Sequence, residues 1–300
     1  MVITSRAPVR IDFAGGWTDV DIFAKGAGGA VLNATIDKYV TGRIETHEGP
    51  PSESGERCEG VTISYNSELP AGSGLGTSAA LNVVWLSLVK SRIAGVEDKK
   101  TIANLAYELE AILGILGGKQ DQYASALGGI NFMTFGDAVE VEALDVPPDV
   151  LRELEERLVL CYTGKSRLSG NIHEHVWGAY RKGAAETVNA LFSLRNIAFS
   201  MRYVILSGKL DEFADLMNQN WECQKKLDAS ITNGQIEELF SEAFKHGAVG
   251  GKACGAGGGG CVLFFAEPSR RREVEQAVER LGSRVIPFKF EFEGLQISES

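Results

Sequence analysis

Two α+β domains are the architecture that this sequence predicts, and three observations point to it. β-Branched and aromatic residues gather into strand-like runs at 6–13, 30–36 and 38–46. Helical periodicity dominates a long block, 169–247, in the second half. Between them Pro147-Pro148 marks a loop. Strands mixed with grouped helices do not give the regular strand–helix alternation of a parallel sheet. A boundary near 152 then divides the chain into 1–152 and 153–300.

The elements follow in order. Segment 48–60, EGPPSESGERCEG, is a polar loop, and a short strand follows at 61–65. A Gly-rich loop, 70–76, leads into a helix over 77–92 with Leu81, Val84, Trp85 and Leu88 at i, i+3, i+4 and i+7. A second helix, 99–116, carries Ile102, Leu105, Ala106, Leu109, Ile112, Leu113 and Leu116 on one stripe and ends at Gly117-Gly118. A short helix near 120–127 and a strand near 130–135 follow. Beyond the helical block come a second Gly-rich loop, a strand at 261–266, a helix at 269–281 and a strand at 284–292.

The 300 residues, 44% of them hydrophobic, can bury one large core or two moderate ones. The net charge of −10 and the absence of a long basic run argue against nucleic acid, whose affinity comes largely from phosphate neutralisation. No apolar run approaches the roughly 20 residues of a membrane span, and the first residues lack the apolar core of a signal peptide. Cys58, Cys161, Cys223, Cys254 and Cys261 form no C-x-x-C pair and read as reduced residues of a cytoplasmic protein. A homo-oligomer is neither required nor excluded.

Two Gly-rich loops carry the chemistry. Gly72-Ser73-Gly74-Leu75-Gly76-Thr77-Ser78 runs directly into a helix. Its glycines let backbone N–H groups wrap an anion, and the helix N-terminus adds free donors. An ordinary turn with a Ser/Thr cap is the competing reading, but three alternating glycines before Thr77-Ser78 favour phosphate. Glu110 lies on the edge of the second helix's apolar stripe, and Asp121 follows 11 residues later. One carboxylate can hold a metal while the other meets an acceptor hydroxyl, the division phosphoryl transfer requires. Taken alone, Glu110 reads as a solvated helix residue and Asp121 as a helix cap.

The second loop, Gly255-Ala256-Gly257-Gly258-Gly259-Gly260, fits G-x-G-x-x-G, but a strand-like run follows it where a dinucleotide fingerprint needs a helix. Gly164-Lys165-Ser166 lacks the earlier glycine of a P-loop, since Val159 stands there. The four histidines, His173 among them, read as surface or capping residues. Lys165, Arg167, Arg181 and Lys182 form a polar cluster that can meet an anionic substrate group or a solvated face.

In this order the pieces resemble the GHMP kinases, the superfamily of galactokinase, homoserine, mevalonate and phosphomevalonate kinases. Ala7-Pro8-Val9-Arg10 through Gly15-Gly16-Trp17-Thr18-Asp19 is similar to the first motif, Pro70–Ala80 to the second and Lys252–Cys261 to the third. The resemblance covers essentially the whole chain. It implies an α+β kinase with a ribosomal-protein S5-like N-terminal domain, which would bind ATP, and a ferredoxin-like C-terminal domain.

Carried over, the resemblance makes Gly72 to Ser78 the nucleotide loop and Ser78 and Glu110 the Mg2+ ligands. Asp121 becomes the catalytic aspartate and Arg10 the arginine beside it. Asp19 becomes the sugar-binding aspartate. Gly16, Trp17, Arg167, Gly257 and Gly258 complete the substrate site. Galactokinases have Glu-His where Gly16-Trp17 stand, whereas Gly-Gly-x-Thr-Asp looks like heptose kinases and fucokinases. Trp17 puts an apolar wall where the heptose group commonly has glycine. The implied reaction is phosphorylation of the anomeric hydroxyl of D-glycero-D-manno-heptose 7-phosphate by ATP with Mg2+. A fucokinase-like neutral-sugar kinase, a mevalonate-type kinase and a catalytically silent sensor are the rivals.

Overall fold

The computed structural model describes residues 2–48, 59–90, 93, 95–165 and 170–300. Two antiparallel sheets organise it. The first contains β1 (Val2–Ala14), β2 (Gly29–Glu48), β3 (Glu59–Ser67), β4 (Ile130–Phe135), β5 (Val139–Ala143) and the C-terminal β10 (Gln296–Glu299). Its order is β10-β1-β2-β4-β5, with β3 also paired to β2. The second has the order β7-β8-β6-β9, from β6 (Leu158–Tyr162), β7 (Ala248–Ala253), β8 (Cys261–Ala266) and β9 (Arg284–Val285).

The strand runs expected at 30–36 and 38–46 are one 20-residue strand, β2. Its first half pairs with β4 and its second half with β3, so one strand serves two neighbours on the same side. Helix α1 (Asp21–Ala27) connects β1 to β2, and α5 (Pro148–Arg157) starts at the Pro147-Pro148 signal. Only Arg284–Val285 of the expected 284–292 strand is regular.

Helix α2 (Thr77–Lys90) packs on β1 and β2, and α3 (Val96–Ile112) and α4 (Gln120–Leu127) stack against it. The expected stripe of α3 is corrected by its burial. Ile102, Ala103, Ala106 and Glu110 are buried, while Leu105, Ile112, Leu113 and Leu116 are exposed. Leu81 and Trp85 of α2 are likewise exposed, and Ala80, Val83, Val84 and Leu88 turn inward.

The helical block resolves into α6 (Gly170–Arg181), α7 (Ala185–Leu206), α8 (Leu210–Lys225) and α9 (Gly234–Lys245). α7 packs on β1 and β2, and α8 touches both β1 and β7. α9 and α10 (Arg271–Arg280) cover the second sheet. The largest core cluster runs from Ile3 to Leu295 and takes residues from both sheets. A cut at 152 therefore separates β10 from the sheet it completes and divides a shared core. No helix among the described residues is long and apolar enough to cross a membrane.

Candidate active site

A cleft opens where both Gly-rich loops, the Gly15–Asp19 turn and the start of α4 converge. Its lining includes Arg10, Gly16, Trp17, Asp19, Gly72 to Gly74, Gly76 to Ser78, Glu110, Asp121 and Gly257. Thus most of the residues picked from sequence meet in one place, although they span positions 10 to 257.

The two Gly-rich loops interlock. Cys261 N–H donates to the Ser73 carbonyl at 2.8 Å. A Cβ on Gly74, which sits at φ +77°, would lie 2.7 Å from the Cys254 carbonyl oxygen, so only glycine fits there. The amides of 72–76 donate to no carbonyl among the described residues, and Thr77 and Ser78 begin α2, where N–H groups lack intrahelical partners. These donors at a positive helix end suit phosphate oxygens. The Ser73 and Thr77 hydroxyls are 3.0 Å apart and close the loop.

Arg10 and Asp121 form the centre. Arg10 is 3% exposed. Its Nε donates to Asp121 Oδ1 at 2.8 Å, and its Nη2 lies 2.6 Å from the same oxygen. Nη1 donates to the Gly74 carbonyl at 2.7 Å, which ties the ion pair to the loop. Burial opposes the guanidinium charge, yet Asp121 and Asp12 beside it leave its pKa above the ordinary value.

Glu110, from the last turns of α3, accepts from Asn82 Nδ2 at 2.9 Å and from Gln122 Nε2 at 2.7 Å. Burial and the nearby Asp121 charge push its pKa up to about 7, against hydrogen bonds from Asn82, Gln122 and Ser78. The Glu110 carboxylate, bonded only to neutral donors, with the Ser78 hydroxyl beside it and Gln122 Oε1 buried without a partner, fits a hard cation with oxygen ligands. Ser78 and Glu110 would hold Mg2+ there, leaving Asp121 to Arg10.

Asp19 is 2% exposed and accepts the Gln120 N–H at 3.0 Å, capping α4. Burial lifts its pKa to about 6. A Cβ on Gly118 would fall 1.8 Å from Asp19 Oδ2, so the Gly117-Gly118 break is what admits this carboxylate.

Two of the expected residues do not line the cleft. The Leu75 side chain is fully buried in the core, so the residue reaches the site only through its backbone, whose carbonyl accepts the Arg10 N–H at 3.0 Å. Gly258 faces away from the cleft and donates its N–H to the Ile231 carbonyl at 2.6 Å. Arg167 lies outside the described residues. Lys165, Arg181 and Lys182 are exposed, and none lines the cleft. Sequence reasoning missed Asp12, Gln122 and His173, all of which line it. Position 173 carried no spacing signal, because its partner Trp17 is remote in sequence.

Comparison with known proteins fits this geometry. The GHMP kinases N terminal domain family matches residues 38–129, and the GHMP kinases C terminal family matches 201–284. The chain is 30% identical to the D-glycero-alpha-D-manno-heptose 7-phosphate kinase of Campylobacter jejuni over 98% of both chains. It is 28% identical to the bifunctional fucokinase/GDP-fucose pyrophosphorylase of Arabidopsis thaliana over 91% of this chain, which spans 30% of that protein. The crystal structure of a D-glycero-D-manno-heptose 1-phosphate kinase from Bacteroides thetaiotaomicron superposes with a TM-score of 0.76, at 28% identity and 99% coverage of both chains. With both family domains in place and the cleft at their junction, the chain belongs to the GHMP kinases, phosphotransferases with a hydroxyl acceptor.

Proposed function

We propose that this chain is a sugar kinase that transfers the terminal phosphoryl group of ATP to the anomeric C1 hydroxyl of D-glycero-D-manno-heptose 7-phosphate. The observation that carries it is the Arg10–Asp121 pair, tied to the first Gly-rich loop and facing Glu110 and Ser78. The 30% identity to a heptose 7-phosphate kinase supports the choice of sugar.

In this reading the loop amides from Gly72 to Ser78 hold the ATP phosphates. Mg2+, held by Ser78 and Glu110, would neutralise charge on the phosphates. Asp121 accepts a hydrogen bond from the C1 hydroxyl and aims its oxygen at the terminal phosphorus. A C1–O–P bond forms, the bridging O–P bond to ADP breaks, and the hydroxyl proton passes to Asp121 and then to water. Arg10 fixes the Asp121 carboxylate and supplies positive charge beside the transferred group. Asp19 and Gly16 receive sugar hydroxyls, Trp17 supplies a wall, and Gly257 closes the second loop over the substrate. Arg167 remains the candidate for the 7-phosphate.

A neutral sugar is the second reading. Arg10 is the one cationic side chain lining the cleft among the described residues, and it is already paired with Asp121. Magnesium-dependent ADP release with heptose 7-phosphate, fucose, mannose, galactose and mevalonate separates these readings. Release with the heptose phosphate alone supports the first, and release with fucose or mannose the second. Asp121→Asn should lower turnover by about 10²–10⁴-fold with ATP binding retained. Turnover of that variant near the wild-type rate, or release with mevalonate alone, would reject the assignment.

A further inference from the structure

His173 stands near the start of α6 and lines the cleft against Trp17. Its ring lies 4.5 Å from the Trp17 ring at an interplanar angle of 31°. One turn further along α6, Trp177 donates Nε1–H to His173 Nδ1 at 3.3 Å. An indole nitrogen only donates, so Nδ1 is the unprotonated nitrogen and the neutral ring carries its hydrogen on Nε2. No described residue partners Nε2. Burial lowers the imidazole pKa to about 4, so the ring is neutral at pH 7. The helix, the Trp177 bond and the Trp17 stack thus hold one neutral N–H donor in place at the cleft.

Trp17 shows the same commitment to the cleft. It is 5% exposed, and its backbone takes φ +79°, a left-handed conformation costly for a bulky residue. Its Nε1 is buried with no partner.

We propose that His173 is a substrate-binding residue that selects the acceptor sugar by donating its Nε2–H to a sugar hydroxyl oxygen, with Trp17 packed beside it. This deepens the sugar-kinase reading and rests on it. A neutral donor suits a hydroxyl oxygen, whereas a phosphate is held more strongly by a charged partner. Selectivity follows because a sugar that lacks that hydroxyl, or carries it inverted, leaves a desolvated donor unpaired.

Two variants separate substrate contact from support of Trp177. In His173→Gln the side-chain amide nitrogen reaches the Nε2 position and keeps the donor. In His173→Asn the side-chain oxygen reaches the Nδ1 position and keeps the Trp177 partner but loses the donor. KM and kcat are measured for each with the sugar of the panel that the wild type turns over best, together with KM for ATP and Tm. The expected result is a tenfold or greater rise in sugar KM for Asn, a smaller fall in kcat, little change in KM for ATP, and recovery of most of the lost kcat/KM in Gln. Recovery by Asn in place of Gln overturns the proposal, since His173 then serves only Trp177. Equal losses in both variants, or no loss in either, overturn it as well. A wild-type chain that turns over no sugar overturns the sugar-kinase reading and this proposal together, whereas the other adverse results leave that reading standing.

Discussion

Glu110 and Asp19 are carboxylates whose protons the fold holds more tightly than the unfolded chain does. Glu110 moves from 4.5 to about 7, first through burial and then through Asp121, and Asp19 moves from 3.8 to about 6, chiefly through burial. For a group with a raised folded pKa, its stabilising contribution is complete below the unfolded value and is lost as pH rises through the folded one. The metal-free protein should therefore lose stability between pH 4.5 and 7 on account of Glu110. Glu110→Gln should remove that part of the slope, so urea unfolding at pH 5, 6.5 and 8 should show the variant gaining on the wild type as pH rises. Parallel profiles would mean that Glu110 titrates like an exposed carboxylate. Of this site, the sequence made Glu110 and Asp121 legible as a spaced pair. It did not make their coupling legible, because 11 residues of separation do not state a distance. The glycine loops were legible as backbone devices, but Leu75 and Gly258 within them were not separable from their neighbours, since inward or outward direction depends on what packs behind the loop.

Between elements, the contact that brings the second Gly-rich loop to the site is a buried ion pair. Lys252, on β7, is fully buried and donates to both the carbonyl and the carboxylate of Asp12 on β1, the former at 2.8 Å. Asp12 Oδ1 also accepts the Gly255 N–H at 3.3 Å. One carboxylate therefore fixes both the strand before the loop and the loop's first amide. Lys252→Met would leave the Asp12 charge buried and unpaired, a loss of about 3–5 kcal/mol in urea unfolding. Adding Asp12→Asn should recover part of that loss, because no charge then remains buried. A Lys252→Met protein within about 1 kcal/mol of wild type would show that water reaches the site and screens the carboxylate. Helix α3 carries the opposite lesson. Its apolar residues suggested a stripe running to Leu116, yet the helix ends at Ile112 and the buried face ends in Glu110. Periodicity could not distinguish a core face from an apolar cleft rim.

For the whole molecule, the return of the chain end decides what folds together. β10 pairs with β1, and Val2 and Ser300 exchange two backbone hydrogen bonds of 2.9 Å. Leu295, just before β10, is buried in the cluster that also holds Ile3 and Phe13. A fragment 1–152 lacks β10 and the side chains of α7 and α8 that pack on β1, so it should show no cooperative unfolding transition. The full chain should unfold in a single transition by circular dichroism and tryptophan fluorescence. A fragment with a sharp transition of its own would restore the boundary near 152 as a real folding division.

What the sequence determined by itself was local. Glycine runs, a Ser/Thr helix start and spaced carboxylates specify backbone conformation and chemistry within short reach, and their order along the chain was enough to recognise the family. What only the tertiary structure decided was adjacency. Arg10 meets Asp121, Asp12 meets Lys252, and Trp17 meets His173 across 111, 240 and 156 residues. Each of those pairs is fixed by sheet order and helix packing, which depend on the whole core and leave no periodic trace at the positions involved.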